Sequence, residues 1–219
     1  MARIVVIDGP SGAGKSTVSR LVAERLGFQY LDTGALYRAL ALHLVRKGKM
    51  PEDSEEAISE AVKDAEIKLE KERVFLNGED VSDTIRTPEA GHNASVFSAK
   101  KPVRDSLLKL QRDAGRYYDV VAEGRDMATV VFPDAGVKIY LDASREGRAR
   151  RRYSQLAEKG MPITMEEAIR DVRERDFRDS NRELAPLKKA DDATYIDSTD
   201  MPLEDVVAAI LLEAGRIYP

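Results

Sequence analysis

IVVIDGPSGAGKST, residues 4–17, opens on a β-branched run and ends in a glycine-rich turn. The run Arg3–Ile7 stops at Asp8-Gly9-Pro10, which reads as a buried strand entering a turn. From Lys15, the apolar residues Val18, Leu21, Val22 and Leu26 recur on one helical face, and Gly27 supplies the stop. Between them, Gly9, Pro10, Ser11, Gly12, Ala13, Gly14, Lys15, Ser16 and Thr17 fit G-x-x-x-x-G-K-[ST], in the strand-to-helix context the motif requires. Glycines let backbone N–H groups converge on an anion without obstruction. The helix N-terminus adds its positive dipole end. Lys15 would reach the β- and γ-phosphates of a nucleotide such as ATP, and the Ser16 hydroxyl would join a Mg²⁺ shell. The bland alternative is a glycine-rich turn with a chance lysine, and the flanking elements weigh against it. GTPases, ATPases, sulfonate carriers and small-molecule kinases share this motif, so it does not say where the phosphate goes.

Working outward, Phe28–Leu31 reads as a second short strand and Leu36–Val45 as a helix. Residues from about 48 to 100 have a different texture. MPEDSEEAISEAVKDA is an acidic helix with Asp53 or Ser54 as N-cap. EIKLEKERVFLNGEDV alternates with period two and carries Asn77-Gly78, a strong hairpin turn. Pro102–Tyr117 is helical. Tyr118–Ala122, Val137–Leu141 and Thr194–Ile196 read as strands, and Met201–Gly215 as a closing helix with Pro202 near its start. Strands alternating with helices imply a parallel sheet covered on both faces, and the hairpin implies an inserted subdomain.

Bulk properties exclude several classes. The chain has 219 residues, 34% of them charged and 42% hydrophobic, with formal net charge −4. That suits one α/β domain with an insertion and argues against a protein built to coat nucleic acid. There is no cysteine, which removes disulfides and thiolate metal sites. His43 and His92 lie in no metal-type spacing and read as ordinary surface or partly packed residues. No stretch approaches the length needed to span a bilayer. A monomer in the cytoplasm is the expectation.

Two further stretches fall on the rim beside the glycine-rich turn. Asp32-Thr33-Gly34-Ala35-Leu36-Tyr37-Arg38 follows the second strand, where open α/β sheets bind ligands; Thr33 could equally cap the next helix. Glu123-Gly124-Arg125-Asp126 follows the strand YDVVA. Its acidic first residue is placed to hold the water shell of Mg²⁺, although a polar turn with a local ion pair explains it as well. The run ERDFRDSNR, residues 174–182, is harder. On a helix, Arg175, Arg178, Asp179 and Arg182 share an arc of roughly 100°, with Ile169 and Val172 to one side. A solvated face held by i,i+4 pairs would explain the stripe. A second basic run, Arg145–Arg152, leads through Glu158-Lys159-Gly160-Met161-Pro162 into this helix. Two arginine-rich helices joined by a short segment look like a lid that shields a nucleotide from water.

Taken in order, IDGPSGAGKST, LDTGALYRAL, EGRDMATVVFPDA, VKIYLDAS and ERDFRDSNRELAPL resemble the bacterial cytidylate kinases, a family of nucleoside monophosphate kinases, over essentially the whole length. The resemblance implies a P-loop three-layer α/β/α fold with a central five-stranded parallel sheet, an inserted acceptor-binding subdomain and a helical lid. The implied core is 1–33 with 101–219, the subdomain is 34–100, and the lid is 148–165. It also implies transfer of the γ-phosphoryl group of ATP, with Mg²⁺, to CMP or dCMP. By position, Ser95, Arg104 and Asp126 match residues that read cytosine, and Arg125, Arg175 and Arg182 match residues that grip phosphate. Asp179 matches the sugar-hydroxyl contact, and Thr33, Tyr37 and Arg38 line the acceptor site. Lys15, Arg125, Arg151, Arg175 and Arg182 form the implied catalytic set, with Ser16 and, through water, Glu123 at the metal. A P-loop kinase for another acceptor, such as UMP or a sugar-like acid, is the nearest rival. A nucleotide-dependent switch is the rival of another class, and the N-K-x-D that GTPases use for guanine does not occur.

Overall fold

The computed structural model describes residues 2–70, 73–161 and 163–218. Lys71 and Glu72 of the alternating stretch, and Pro162 of the turn between the arginine-rich helices, lie outside the described residues. The strands are β1 (Ile4–Asp8), β2 (Gln29–Asp32), β3 (Ile67–Glu70), β4 (Arg73–Leu76), β5 (Glu79–Asp80), β6 (Val120–Gly124), β7 (Val137–Asp142) and β8 (Thr194–Asp197). The helices are α1 (Lys15–Leu26), α2 (Thr33–Arg46), α3 (Glu55–Val62), α4 (Pro88–Phe97), α5 (Lys101–Tyr117), α6 (Arg145–Glu158), α7 (Met165–Asn181) and α8 (Leu203–Ile217). A 3₁₀ turn spans Thr84–Arg86 and a π-helical turn spans Met127–Val131.

Five strands make a parallel sheet in the order β2-β6-β1-β7-β8, which is the expected architecture. Its inner strands β6, β1 and β7 are buried or half-buried on both sides, with side chains alternating between two cores as the period of two requires, while the edge strand β8 leaves Thr194, Tyr195 and Asp197 exposed. Val5, Ile7 and Val121 pack with Val18 and Val22 of α1 and Val207 and Ile210 of α8. Val6, Val120 and Ala122 face the other way, onto Leu36 and Leu40 of α2, Phe97 of α4 and Leu107 of α5. Side chains from the 34–100 stretch thus share a core with the sheet. A smaller cluster joins Ala35 and Ala39 to Val74, Leu76 and Ile85.

The hairpin sheet β3-β4-β5 is antiparallel. Asn77 and Gly78 both have positive φ, 49° and 82°, the geometry a two-residue type I′ turn demands. Ser54 caps α3. His43 proves buried, bonded to the Ala61 carbonyl at 2.9 Å. Among the described residues, no helix is long and apolar enough to cross a membrane.

Helix α1, like α5 and α8, has no side-chain cap at its start. A capping side chain serves α2, α3, α4, α6 and α7, whereas α1 begins at Gly14, in the left-handed region, with no side-chain cap. Its first-turn N–H groups are therefore left for something else. At the other end Gly27 closes the helix in the left-handed conformation, its N–H meeting the Ala23 and Glu24 carbonyls.

Candidate active site

The loop from Gly9 to Thr17 lies at the carboxyl end of β1, along a cleft of about 740 Å³. A Cβ on Gly9 would lie 1.9 Å from the Leu141 carbonyl oxygen, and one on Gly12 would lie 2.8 Å from that of Arg148. Both φ values, 150° and 77°, also favour glycine. Arg148 donates to the Ser11 carbonyl at 3.0 Å and the Ala143 carbonyl at 2.9 Å, and pairs with Asp176 of α7. Asp176 in turn accepts from the Ser11 N–H at 3.0 Å. Arg151 donates to the Ala13 carbonyl at 3.2 Å and the Ser198 carbonyl at 2.5 Å. The loop is thus clasped from outside by α6 and α7. Inside it, buried Lys15 donates to the Pro10 carbonyl at 2.7 Å. Burial, and then repulsion from Arg125, hold its ammonium well below the usual lysine range, with Glu123 opposing.

Asp32 and Glu123 end adjacent strands in register. Glu123 lies inside β6 rather than after it, so its position is fixed by sheet hydrogen bonds. Its carboxyl is pushed up by burial and then by Asp32, with Lys15 opposing. It accepts from the Tyr30 hydroxyl, and its carbonyl accepts from the Thr33 hydroxyl at 2.6 Å. Thr33 is therefore not the cap of α2; Asp32 is, taking the Ala35 N–H at 2.8 Å. Arg86, from the inserted stretch, donates to the other Asp32 oxygen at 3.1 Å.

The expected Mg²⁺ neighbours, Ser16 and Glu123, face this part of the cleft together with Asp32. The donor set is all oxygen and includes a desolvated carboxylate, which suits a hard cation. Among the described residues there is no group of three or more His, Asp or Glu side chains that could cage a metal. A Mg²⁺ that keeps waters and phosphate oxygens in its shell needs no such cage.

At the far end, Asp126 pairs with buried Arg104 of α5 and faces Arg182 at 3.4 Å. Arg104 is not among the residues lining the cleft, and its guanidinium lies 5.6 Å from the Tyr37 ring centroid. Arg182 also donates to the Ser98 hydroxyl at 3.1 Å and the Ala185 carbonyl at 2.7 Å. Asp179 accepts from the Ser95 hydroxyl at 3.1 Å and from Arg125 at 2.9 Å. Burial raises its carboxyl, but Arg125, Arg175 and Arg182 outweigh that and leave it below the usual range.

Arg175 stands apart. Its Nε is buried without a partner. Burial, then Arg125 and Arg38, push its guanidinium down to about 9. Arg38 is likewise lowered by burial and makes no hydrogen bond or ion pair with the described residues. Asp179 opposes the fall at Arg175, and Asp32 and Glu123 oppose it at Arg38, but burial outweighs them. The ERDFRDSNR stretch is therefore only partly a wet face. Arg175, Asp179 and Arg182 line the cleft, half-buried Arg178 donates to Ser95, and Ile169, expected beside the apolar stripe, is 48% exposed.

Residues 5–216 match the family model for cytidylate kinase. The chain belongs to the cytidylate kinase family. It is 54% identical over 220 residues to the cytidylate kinase of Thermodesulfovibrio yellowstonii, covering 99% of each chain. It is 50% identical over 223 residues to that of Geobacter sulfurreducens, covering 99% of this chain and 95% of the relative. Among solved structures, an uncharacterized protein from Eubacterium ventriosum matches with TM-score 0.54 at 12% identity over 99% of both chains, a likeness of fold alone.

As a cytidylate kinase family member, the chain places most of the residues expected at its site along one cleft. Lys15, Ser16, Thr33, Tyr37, Arg38, Ser95, Glu123, Arg125, Asp126, Arg151, Arg175, Asp179 and Arg182 all line it, as do Ser11, Gly12, Gly14 and Thr17. Gly9, Pro10, Ala13 and Arg104 are not among its lining residues. The sequence reading missed Asp8, Arg86, Arg148, Asp176 and Ser198. Asp176 and Arg148 lie inside the two charged runs already singled out, and what marks them is their pairing with each other across the two helices, which helical arcs alone do not reveal.

Proposed function

We propose that this chain transfers the γ-phosphoryl group of ATP to CMP or dCMP, giving ADP and CDP or dCDP, within pyrimidine nucleotide metabolism. The observation that carries the reading is the Arg175 Nε, buried without a partner in a half-buried side chain that lines the cleft, with Arg125 and Arg38 repelling it. Two anionic ligands meeting there would offset that repulsion.

In this reading the loop amides and Lys15 hold the donor phosphates. Mg²⁺, held by the Ser16 hydroxyl and through water by Glu123, would neutralise charge on the donor phosphates. Arg125, Arg175 and Arg182 grip the acceptor phosphate and the transferring group, and Arg151 approaches from the lid. An acceptor phosphate oxygen attacks the γ-phosphorus as the bond to the β-bridging oxygen breaks. Positioning and charge stabilisation are the main requirements, and the acceptor is already an anionic nucleophile, so no strong general base is needed. Asp179 meets a sugar hydroxyl, and Thr33, Tyr37 and Arg38 line the acceptor site. Asp126 accepts from the cytosine N4–H₂, with Ser95 beside it. Arg104, paired with Asp126, holds that carboxylate aimed at the base. Uracil would set an oxygen against the carboxylate lone pairs, a mismatch such sites reject strongly.

Residues 34–100 serve as the acceptor subdomain and 148–165 as the lid in this account. The Arg152–Asp171 bond at 2.9 Å supports α6 and α7 moving as a unit. A monomer acting in the cytoplasm is the setting this reading assigns to the enzyme. The test is coupled ADP release with CMP, dCMP, UMP and AMP. CMP and dCMP should drive it best; ADP release indifferent to the acceptor would sink the proposal.

A further inference from the structure

Asp126 is the N-cap of the π-helical turn Met127–Val131, yet its side chain makes no capping bond. An N-cap aspartate ordinarily takes the first amide protons of its own helix. Here the carboxylate faces Arg104 and Arg182 instead. The amides are taken from elsewhere: Asp8 accepts from the Met127 N–H at 3.0 Å on one oxygen and from the Ala128 N–H at 2.8 Å on the other. Asp8 ends β1, sits in register with Gly124 of β6, and immediately precedes the phosphate loop. It is 1% exposed.

We propose that Asp8 is a positioning residue for acceptor specificity: by capping the π-helical turn in place of Asp126, it frees the Asp126 carboxylate for the acceptor base. This rests on the acceptor pocket proposed above. Asp8 touches neither nucleotide and acts through the turn that carries Arg125 and Asp126, which it fastens to the strand that carries the donor loop. The chemistry is selective. An ionised carboxylate is acceptor-only and satisfies two adjacent N–H groups at once, whereas an amide of the same shape would turn an NH₂ against one of them. The two bonds work against the burial that raises the Asp8 carboxyl to about 6, with Asp126 adding to the rise and Lys15 opposing it. Without Asp8, the acceptor an N-cap position ordinarily offers its own turn is the Asp126 side chain, and bonding there would draw it out of the base pocket.

The experiment measures ADP release with CMP and with UMP at saturating ATP, and the KM for ATP, on the full chain carrying Asp8→Asn, Asp8→Ser, Asp126→Ala or Asp8→Asn with Asp126→Ala. The expected result is that the CMP-over-UMP ratio of kcat/KM falls by about tenfold in the Asp8 variants, while KM for ATP moves less than KM for CMP. The double variant should lose no more discrimination than Asp126→Ala alone. Equal losses for CMP and UMP would mean a merely structural residue and overturn the proposal. Failure of both Asp8 variants to fold, read by circular dichroism, would assign Asp8 to the fold alone and overturn it too. If Asp126→Ala keeps the full preference, the pocket reading itself fails, an outcome distinct from either.

Discussion

At one end of the cleft, consecutive residues from Gly9 to Thr17 supply backbone amides and one lysine. At the other, Ser95, Arg104, Asp126, Asp179 and Arg182 arrive from α4, α5, the turn after β6, and α7 with its cap, and ion pairs hold them together. The first end is carried by one contiguous motif, with glycines where a Cβ would collide with the Leu141 and Arg148 carbonyls. The second exists only once the tertiary fold brings opposite charges into a dry space. A lesion at the loop end should therefore remove function and spare the fold, whereas a lesion in a buried pair should reach stability as well, because it strands a partner.

The largest effect expected is from Lys15→Ala, which should cut kcat by about a thousandfold or more while thermal melting stays at or above wild type, since a desolvated ammonium is removed. A variant that melts far lower would break the contrast. Next comes Asp176→Ala. It leaves Arg148 buried with Asp142 at 3.7 Å as its remaining carboxylate, and should cost about 3 kcal/mol in urea unfolding. It would show that the loop's outer clasp obeys the rule of the far end. Smaller still is a pH effect. Asp8 rises from 3.8 to about 6 on folding, so the stability linked to its proton is fully present below the unfolded value and lost as pH rises through 6. Compared with Asp8→Asn, the wild type should gain about 2 kcal/mol between about pH 7 and about pH 4.5. A flat difference would return Asp8 to an ordinary carboxyl.

The same contrast governs what could be read in the sequence. β1, the loop and α1 were legible because their pattern and chemistry are contiguous. Asn77-Gly78 was legible because a type I′ turn names its residues. Helical periodicity gathered Arg175, Asp179 and Arg182 on one face but could not say what that face met, and it wrongly placed Ile169 with the apolar side. Thr33 looked like a cap because cap propensity is local, yet Asp32 won that place, and the Thr33 hydroxyl went across to the next strand. Asp8 carried no signal at all: an aspartate before a glycine reads as turn chemistry, and its partners lie far along the chain at Met127 and Ala128.

Arg175, whose Nε is buried without a partner, is placed to meet nucleotide phosphate. The most direct measurement is steady-state ADP release with CMP by Arg175→Ala. A fall in kcat of about two to three orders of magnitude is predicted, whereas wild-type kcat and KM for CMP would contradict it.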